Sequence, residues 1–343
     1  MRKIVAAILL CGLALTANAV PARRGWQTRT QADGTTIEVQ QMGDEFYHFW
    51  ITKDGKVAEM QEDGSFIVTN QQQPSGEQVM ALRKASKRYV NRAKKIGANS
   101  MPARGLFILV NFSDQSFSSA SESYYKSSLG DNTEGAKSMY NYLKLQSNGK
   151  YAPPIDVFGP VTMSKTVSYY GSNDSQGNDK HPAEMVVEAC KALDSQIDFS
   201  QYDANSDGKV DNVYVIYAGK GEADGGAKTT IWPHQWSIDG EGLSCKLDGK
   251  NIYTYACSSE LSGEGIYAMG TPLHEFSHVL GLPDYYDTEY ESTNYTEGRT
   301  PGDWSLMDAG SYNDNGNTPP NYSIFDKYYL GWDTPKLLAK NDQ

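Results

Sequence analysis

The stretch "TPLHEFSHVLGLPDYYDT", residues 271–288, places two histidines and a glutamate within five consecutive positions of a 343-residue chain that has only five histidines. His274 and His278 are four residues apart, so on a helix both imidazoles leave the same face, roughly one turn from each other. Two imidazoles so placed suit one zinc ion, and Glu275 beside them reaches a water on that metal without being a ligand itself. Leu273, Phe276, Val279 and Leu280 supply the apolar face that buries such a helix. Gly281 then ends it, because a residue free to take positive φ lets the chain reverse. A hydrolytic zinc site wants three protein ligands and an open position. Asp284, on the returning segment, is the expected third ligand, with Asp287 and Glu289 as rivals in the same acidic run.

The chain's beginning reads differently. Arg2 and Lys3 precede an apolar run from Ile4 to Leu15, and Ala17-Asn18-Ala19 has the small-x-small pattern of a secretory leader's cleavage site. Residues 1–19 are therefore expected to be a signal peptide and the protein to be exported. The run is too short to span a membrane, and no later segment approaches the length a span needs. Removing the leader leaves Cys190, Cys245 and Cys257, an odd number. The last two flank a hairpin signal at Asp248-Gly249, so a bridge between them and two reduced thiols are both open.

Charge divides the exported part. Residues 20–104 carry 13 Lys and Arg against 9 Asp and Glu, a net of +4, whereas residues 105–343 carry 16 against 33, a net of −17. Seven of the basic residues crowd into "RKASKRYVNRAKK" (83–95), ahead of the hydrophobic run "LFILVNF" (106–112). A basic N-terminal segment docked on an acidic body, joined to it by a cleavable connection near Arg104, is the reading that charge complementarity favours. The segment "TTIEVQQMGDEFYHFWITKDGKVAEMQEDGSFIVT" (35–69) alternates β-prone runs with turns at Asp54-Gly55 and Asp63-Gly64, predicting a small antiparallel meander. From residue 105 the pattern becomes mixed: strands at 106–112, 155–163, 211–219 and 251–259, helices over 134–147 and 181–196.

Other constellations are fewer. "DANSDGKVD" (203–211) puts oxygen side chains at Asp203, Asn205, Asp207 and Asp211, with Gly208 at the turn, matching the first nine positions of a calcium loop. Its twelfth position is Tyr214 where such a loop has a bidentate glutamate, so calcium with a structural role is expected without a full helix-loop-helix hand. "IWPHQW" (231–236) sets His234 between two tryptophans, either lining a substrate cleft or packed as an aromatic corner. No G-x-S-x-G, phosphate-binding glycine loop or C-x-x-C occurs, and the acidic body argues against a nucleic-acid partner.

Taken together, "HEFSHVLGLPD" (274–284) resembles the extended zinc signature of metzincin-type peptidases, with Asp284 where many of them carry a third histidine. "GDWSLMDAGSY" (302–312) resembles their Met-turn. With "RGLFILVNFSDQSF", "DNVYVIYAGKGEA", "IWPHQW" and "FDKYYLGW", the pattern is similar to the immune inhibitor A family of secreted bacterial metallopeptidases. The resemblance implies an α+β chain: a metzincin-like catalytic domain (105–343) with a twisted mixed sheet, active-site helix and Met-turn, preceded by a small, mainly β propeptide (20–104). It implies a zinc endopeptidase made as a zymogen, acting on protein or peptide substrates and inhibited by its own propeptide. His274, His278 and Asp284 become the zinc ligands, Glu275 the catalytic acid/base and Met307 the methionine beneath the metal. His234 and Tyr312 are candidates to line the substrate cleft. The propeptide contains no cysteine, so Asp44, Glu45 and His48 are the candidates to block the site. Two rival classes remain: a calcium-stabilised surface or adhesion protein with a structural zinc site, and a zinc hydrolase of glycans or non-peptide amides.

Overall fold

Seven residues from Gly105 to Asn111 form β6, and six of the seven are fully buried, because this strand has a hydrophobic layer on each face. Leu106, Ile108 and Val110 point into one layer and Phe107 and Leu109 into the other, as the two-residue period of a strand requires. The computed structural model describes residues 20–85, 101–175, 177–262, 265–287 and 300–335. The expected leader, the basic run from residue 86 onward and Glu289 lie outside them.

The described chain begins with five strands: β1 (Gln27–Thr30), β2 (Thr36–Asp44), β3 (Tyr47–Thr52), β4 (Lys56–Met60) and β5 (Phe66–Gln72). They form an antiparallel sheet in sequential order, the meander read from the sequence with one extra strand at its edge. Gly55 and Gly64 turn its hairpins at φ of 76° and 81°. Helix α1 (Gly76–Ala85) packs Val79 against Met42, Phe49 and Ile51 of this sheet. It also sends Arg83 into a buried ion pair with Asp44.

The remainder is a mixed sheet between helices. Its strands are β6, β7 (Ile155–Thr162), β9 (Val213–Lys220), β10 (His234–Ser237), β13 (Thr254–Ser262) and the short β14 (Gly265–Ile266), after β8 (Lys209–Val210). The order is β10-β13-β9-β6-β7, parallel except for β10, with β14 antiparallel to β13. A hairpin of β11 (Lys246–Leu247) and β12 (Lys250–Ile252) joins β8 in a small separate sheet. Helices α2 (Ser119–Gly130), α3 (Met139–Gln146), α4 (Val167–Gly171), α5 (Pro182–Ala192), α6 (Gly270–Val279) and α7 (Ile324–Tyr329) complete the body. Helix α5 packs Met185, Val186 and Ala189 on one face of the sheet. Helices α2, α3 and α6 cover the other face through Leu129, Leu143, Leu273 and Phe276. Cys190, Cys245 and Cys257 are all buried free thiols, so no bridge crosses the β11–β12 hairpin.

Candidate metal centre

Helix α6 is buried along its whole length, which is why a sequence with two histidines and a glutamate can present them inward. Its start is pressed against the 309–316 segment so closely that a Cβ on Gly270 would lie 2.0 Å from the Ser311 carbonyl oxygen. Its end is the glycine stop expected from the sequence: Gly281 takes φ of 104°, and the Leu282 N–H returns to the Ser277 carbonyl at 3.0 Å. The chain then doubles back, pinned where the Tyr285 N–H bonds the Met307 carbonyl at 2.8 Å. That reversal delivers Asp284 to the two imidazoles.

His274 Nε2 and His278 Nε2 are 3.0 Å apart, and Asp284 Oδ1 lies 3.1 Å and 3.2 Å from them. The Nδ1 atoms face backbone carbonyl oxygens, Leu306 for His274 and Leu282 for His278, each at 2.7 Å. A carbonyl oxygen only accepts, so each Nδ1 carries the proton and each Nε2 turns a lone pair inward. Three acceptors with no donor among them therefore converge in a buried place, an arrangement that repels itself unless a cation joins it. Burial, working chiefly through desolvation, pushes His278 down to about 4, so its imidazole is neutral and suited to ligation. Donors 2.0–2.1 Å from a tetrahedral zinc stand roughly 3.3–3.4 Å apart, close to the spacings here. The residues fit the metal. Among the described residues this is the one cluster of three His, Cys, Asp or Glu side chains with that convergence. Asp287 is not part of it.

Glu275, between the two histidines, is fully buried, and its Oε1 accepts the backbone N–H of Val20 at 2.9 Å. Nothing in the sequence reading pointed to Val20 as a neighbour of this carboxylate; the one available signal was that a cut after Ala19 makes Val20 the first residue. The following residues are held too. Trp232 Nε1 donates to the Val20 carbonyl at 3.1 Å and the Tyr312 hydroxyl to that of Pro21 at 2.5 Å. Arg23 meets Asp224 at 3.0 Å and Arg24 meets Asp308 at 2.8 Å.

Tyr312 stands beside the N-terminal segment, whereas His234 is buried as the packed corner that the sequence left as one of two choices. Its Nδ1 lies 2.6 Å from the Trp232 carbonyl and its Nε2 2.9 Å from the Tyr255 hydroxyl. Met307 is fully buried in the core that also holds Leu273 and Phe276. Of the expected blockers, Asp44 is taken up by Arg83 and by the Phe46 N–H at 3.0 Å. His48 pairs with Glu222 at 3.0 Å and stacks on Trp232. The Glu45 side chain is buried. Asp203, Asn205, Asp207 and Asp211 stay near one another, but as an Asp-rich turn: Asp203 Oδ2 takes the Lys250 ammonium at 2.7 Å and the Gly208 N–H at 3.0 Å. Asp211 Oδ2 accepts the Ala204 N–H at 3.0 Å.

A family model described as the immune inhibitor A peptidase M6 catalytic domain matches residues 107–334. Immune inhibitor A of Bacillus thuringiensis subsp. alesti is 31% identical over 247 residues, covering 61% of this chain and 35% of that protein. The pre-pro-metalloprotease PrtV of Vibrio cholerae serotype O1 (strain M66-2) is 30% identical over 230 residues, covering 60% of this chain and 25% of its own length. The chain thus spans about a third and a quarter of the length of these two relatives. The crystal structure of metalloproteinase-II from Bacteroides fragilis aligns over 89% of this chain and 85% of its own at 10% identity, with a TM-score of 0.33 that carries no weight. Among the described residues, no helix is long and apolar enough to cross a membrane.

Proposed function

We propose, from the premise that this chain belongs to the immune inhibitor A (M6) peptidase family, that it is an exported zinc endopeptidase made in a latent form. The observation that carries the proposal is the inward-facing acceptor triangle of His274, His278 and Asp284 with Glu275 beside it. In this reading the three are the zinc ligands and Glu275 the general acid/base. Met307 is the apolar floor of the site, and Tyr312 lines the cleft. Residues 20–104 are the inhibitory pro segment and residues 1–19 the leader. The name of the Vibrio cholerae relative, a pre-pro-metalloprotease, describes the same order of parts. The Asp203–Asp211 loop enters as a structural turn held by Lys250, with no cation assigned to it.

When bound, zinc supplies Lewis-acid polarisation of the scissile carbonyl and lowers the pKa of water toward ~7. The chain's own groups do the rest. The Leu306 and Leu282 carbonyls fix the tautomer of the two imidazoles, so that Nε2 of each always faces the metal position. Glu275 takes a proton from the attacking water and returns it to the nitrogen of the departing amine as the C–N bond breaks. The apolar surroundings of α6 keep bulk water away from this exchange.

The test compares Asp284→Ala with Asp287→Ala in the exported chain freed of residues 20–104. The first is expected to lose both bound zinc after dialysis and hydrolysis of an unfolded protein, and the second to keep both. Equal zinc retention in the two variants would remove Asp284 from the ligand set.

A further inference from the structure

The segment after Ala19 is seated on the catalytic glutamate more like a ligand than like a tail. A general acid that protonates a departing amine must stand within hydrogen-bond reach of that nitrogen. The nitrogen in that position is Val20 N, 2.9 Å from Glu275 Oε1. From there the segment is held almost residue by residue, the Ala22 N–H by the Gly43 carbonyl of β2 at 2.8 Å and its neighbours by the body. Trp232 Nε1 donates to the Val20 carbonyl and the Tyr312 hydroxyl to the Pro21 carbonyl, while the Arg23 N–H donates to the Ala223 carbonyl at 2.8 Å. The side chains are held as well. Val20 and Ala22 are buried against Ala223 and Trp232. The Arg23 and Arg24 guanidinium groups reach Asp224 and Asp308, whose side chains are 3% and 0% exposed. Both arginines thus face buried carboxylate charge, and Asp308 is also fixed in place by the Gly302 and Ala309 N–H groups at 2.8 Å and 2.7 Å.

We infer that Val20–Arg24 occupies the site as the amine-side product of a peptide-bond hydrolysis does, and that it thereby marks the subsites for substrate residues after the scissile bond. The inference rests on the peptidase reading above. A cut after Ala19 turns the Val20 nitrogen into an α-amino group, the group that a newly formed product presents to the same glutamate. Latency then has a specific form: the general acid/base and the cleft beyond it are filled by the first five exported residues. The same contacts name a substrate class. Favoured peptides have an aliphatic residue directly after the scissile bond and arginine or lysine three and four residues beyond it, opposite Asp224 and Asp308.

The experiment compares the exported chain beginning at Val20 with one beginning at Gly25, using hydrolysis of an unfolded protein and binding of dye-labelled VPARRG and VPAEEG peptides. The shortened chain is expected to hydrolyse roughly tenfold faster or more, the scale of one charge-assisted hydrogen bond. Added VPARRG should bind and reverse the gain, and VPAEEG should bind roughly tenfold more weakly on the same scale. A folded shortened chain that ignores VPARRG overturns the inference. Selective binding of VPARRG without hydrolysis by either chain supports the subsites and sinks the peptidase reading instead. If the shortened chain does not fold, Arg23→Glu with Arg24→Glu in the full exported chain replaces it. That variant should gain activity and capture added VPARRG, and failure of both overturns the inference.

Discussion

Arg83→Ala should loosen the N-terminal sheet far more than a surface change of the same size. The Arg83 and Asp44 side chains are 1% and 0% exposed, with Arg83 Nε 2.8 Å from Asp44 Oδ2. Arg83 Nη2 lies 2.6 Å from the same oxygen but off the hydrogen-bonding direction, so Nε carries the bond. The guanidinium also lies over the Phe46 ring, 5.5 Å from its centroid. Removing one member of a buried pair leaves the other charged and desolvated, a loss of about 3–5 kcal/mol. Each 1.4 kcal/mol is tenfold, so amides of β2 and β3 should exchange with deuterium from about a hundredfold to a few thousandfold faster, while amides of α6 keep their rates. The double variant Arg83→Met with Asp44→Asn separates charge from packing. Asparagine retains an acceptor for the Phe46 N–H, and methionine refills most of the volume. Its loss should be under about half that of the single variant, because neither partner is left as an uncompensated ion. Exchange that speeds up less than about tenfold in Arg83→Ala, or a double variant as damaged as the single, would refute the reasoning.

Other consequences follow from single contacts. Tyr286→Phe removes the hydroxyl that bonds Asp284 Oδ2 at a long 3.3 Å, and should weaken zinc retention about tenfold, the low end for groups that orient a ligand; unchanged retention in a chelator competition would contradict it. Leu273→Ala, at a fully buried position of α6, should cost about 2–5 kcal/mol in denaturant unfolding, and a loss below about 1 would mean that the helix does not pack as described. For His48, burial pulls the pKa down, but the charge and hydrogen bond of Glu222 outweigh it and leave the imidazole above 6.5. A raised folded-state pKa means that this pair's contribution is fully present below pH 6.5 and is lost as pH rises through the folded value. Protection of β3 amides, corrected for intrinsic exchange, should therefore fall as pH rises from 6 to 9 in the native chain and stay flat in His48→Gln, about neutral pH being where imidazole charge changes. A native profile as flat as the variant's would remove His48 from the docking.

The parts legible in the sequence were those where local pattern and final position coincide. The four-residue histidine spacing, the apolar face of α6 and the stop at Gly281 all act within a few turns, and together they delivered Asp284. The strands 105–111 and 213–220 were legible because burial on both faces leaves a nearly continuous apolar run. Helix α2 was not anticipated. Its buried positions include Ser121 and Ser128, so small polar residues blur the helical period, and its start is set by the Ser118 cap. The contacts that matter most beyond the metal centre were invisible for a different reason. Val20 meets Glu275 across 255 residues and Arg83 meets Asp44 across 39, and no local pattern encodes such pairings. The acidic loop at 203–211 shows the same limit, since Lys250 arrives from 47 residues away to bond Asp203.

The central claim is that Glu275 moves protons beside a metal held by His274, His278 and Asp284. Its most direct test is hydrolysis of an unfolded protein by the exported chain, freed of residues 20–104 and supplied with zinc, beside Glu275→Ala. The account predicts about one zinc per chain in both proteins, with activity lower in the variant by about 10²–10⁴-fold, the scale of general acid–base catalysis. Equal activity in the two proteins, or bound zinc with no hydrolysis in either, would contradict it.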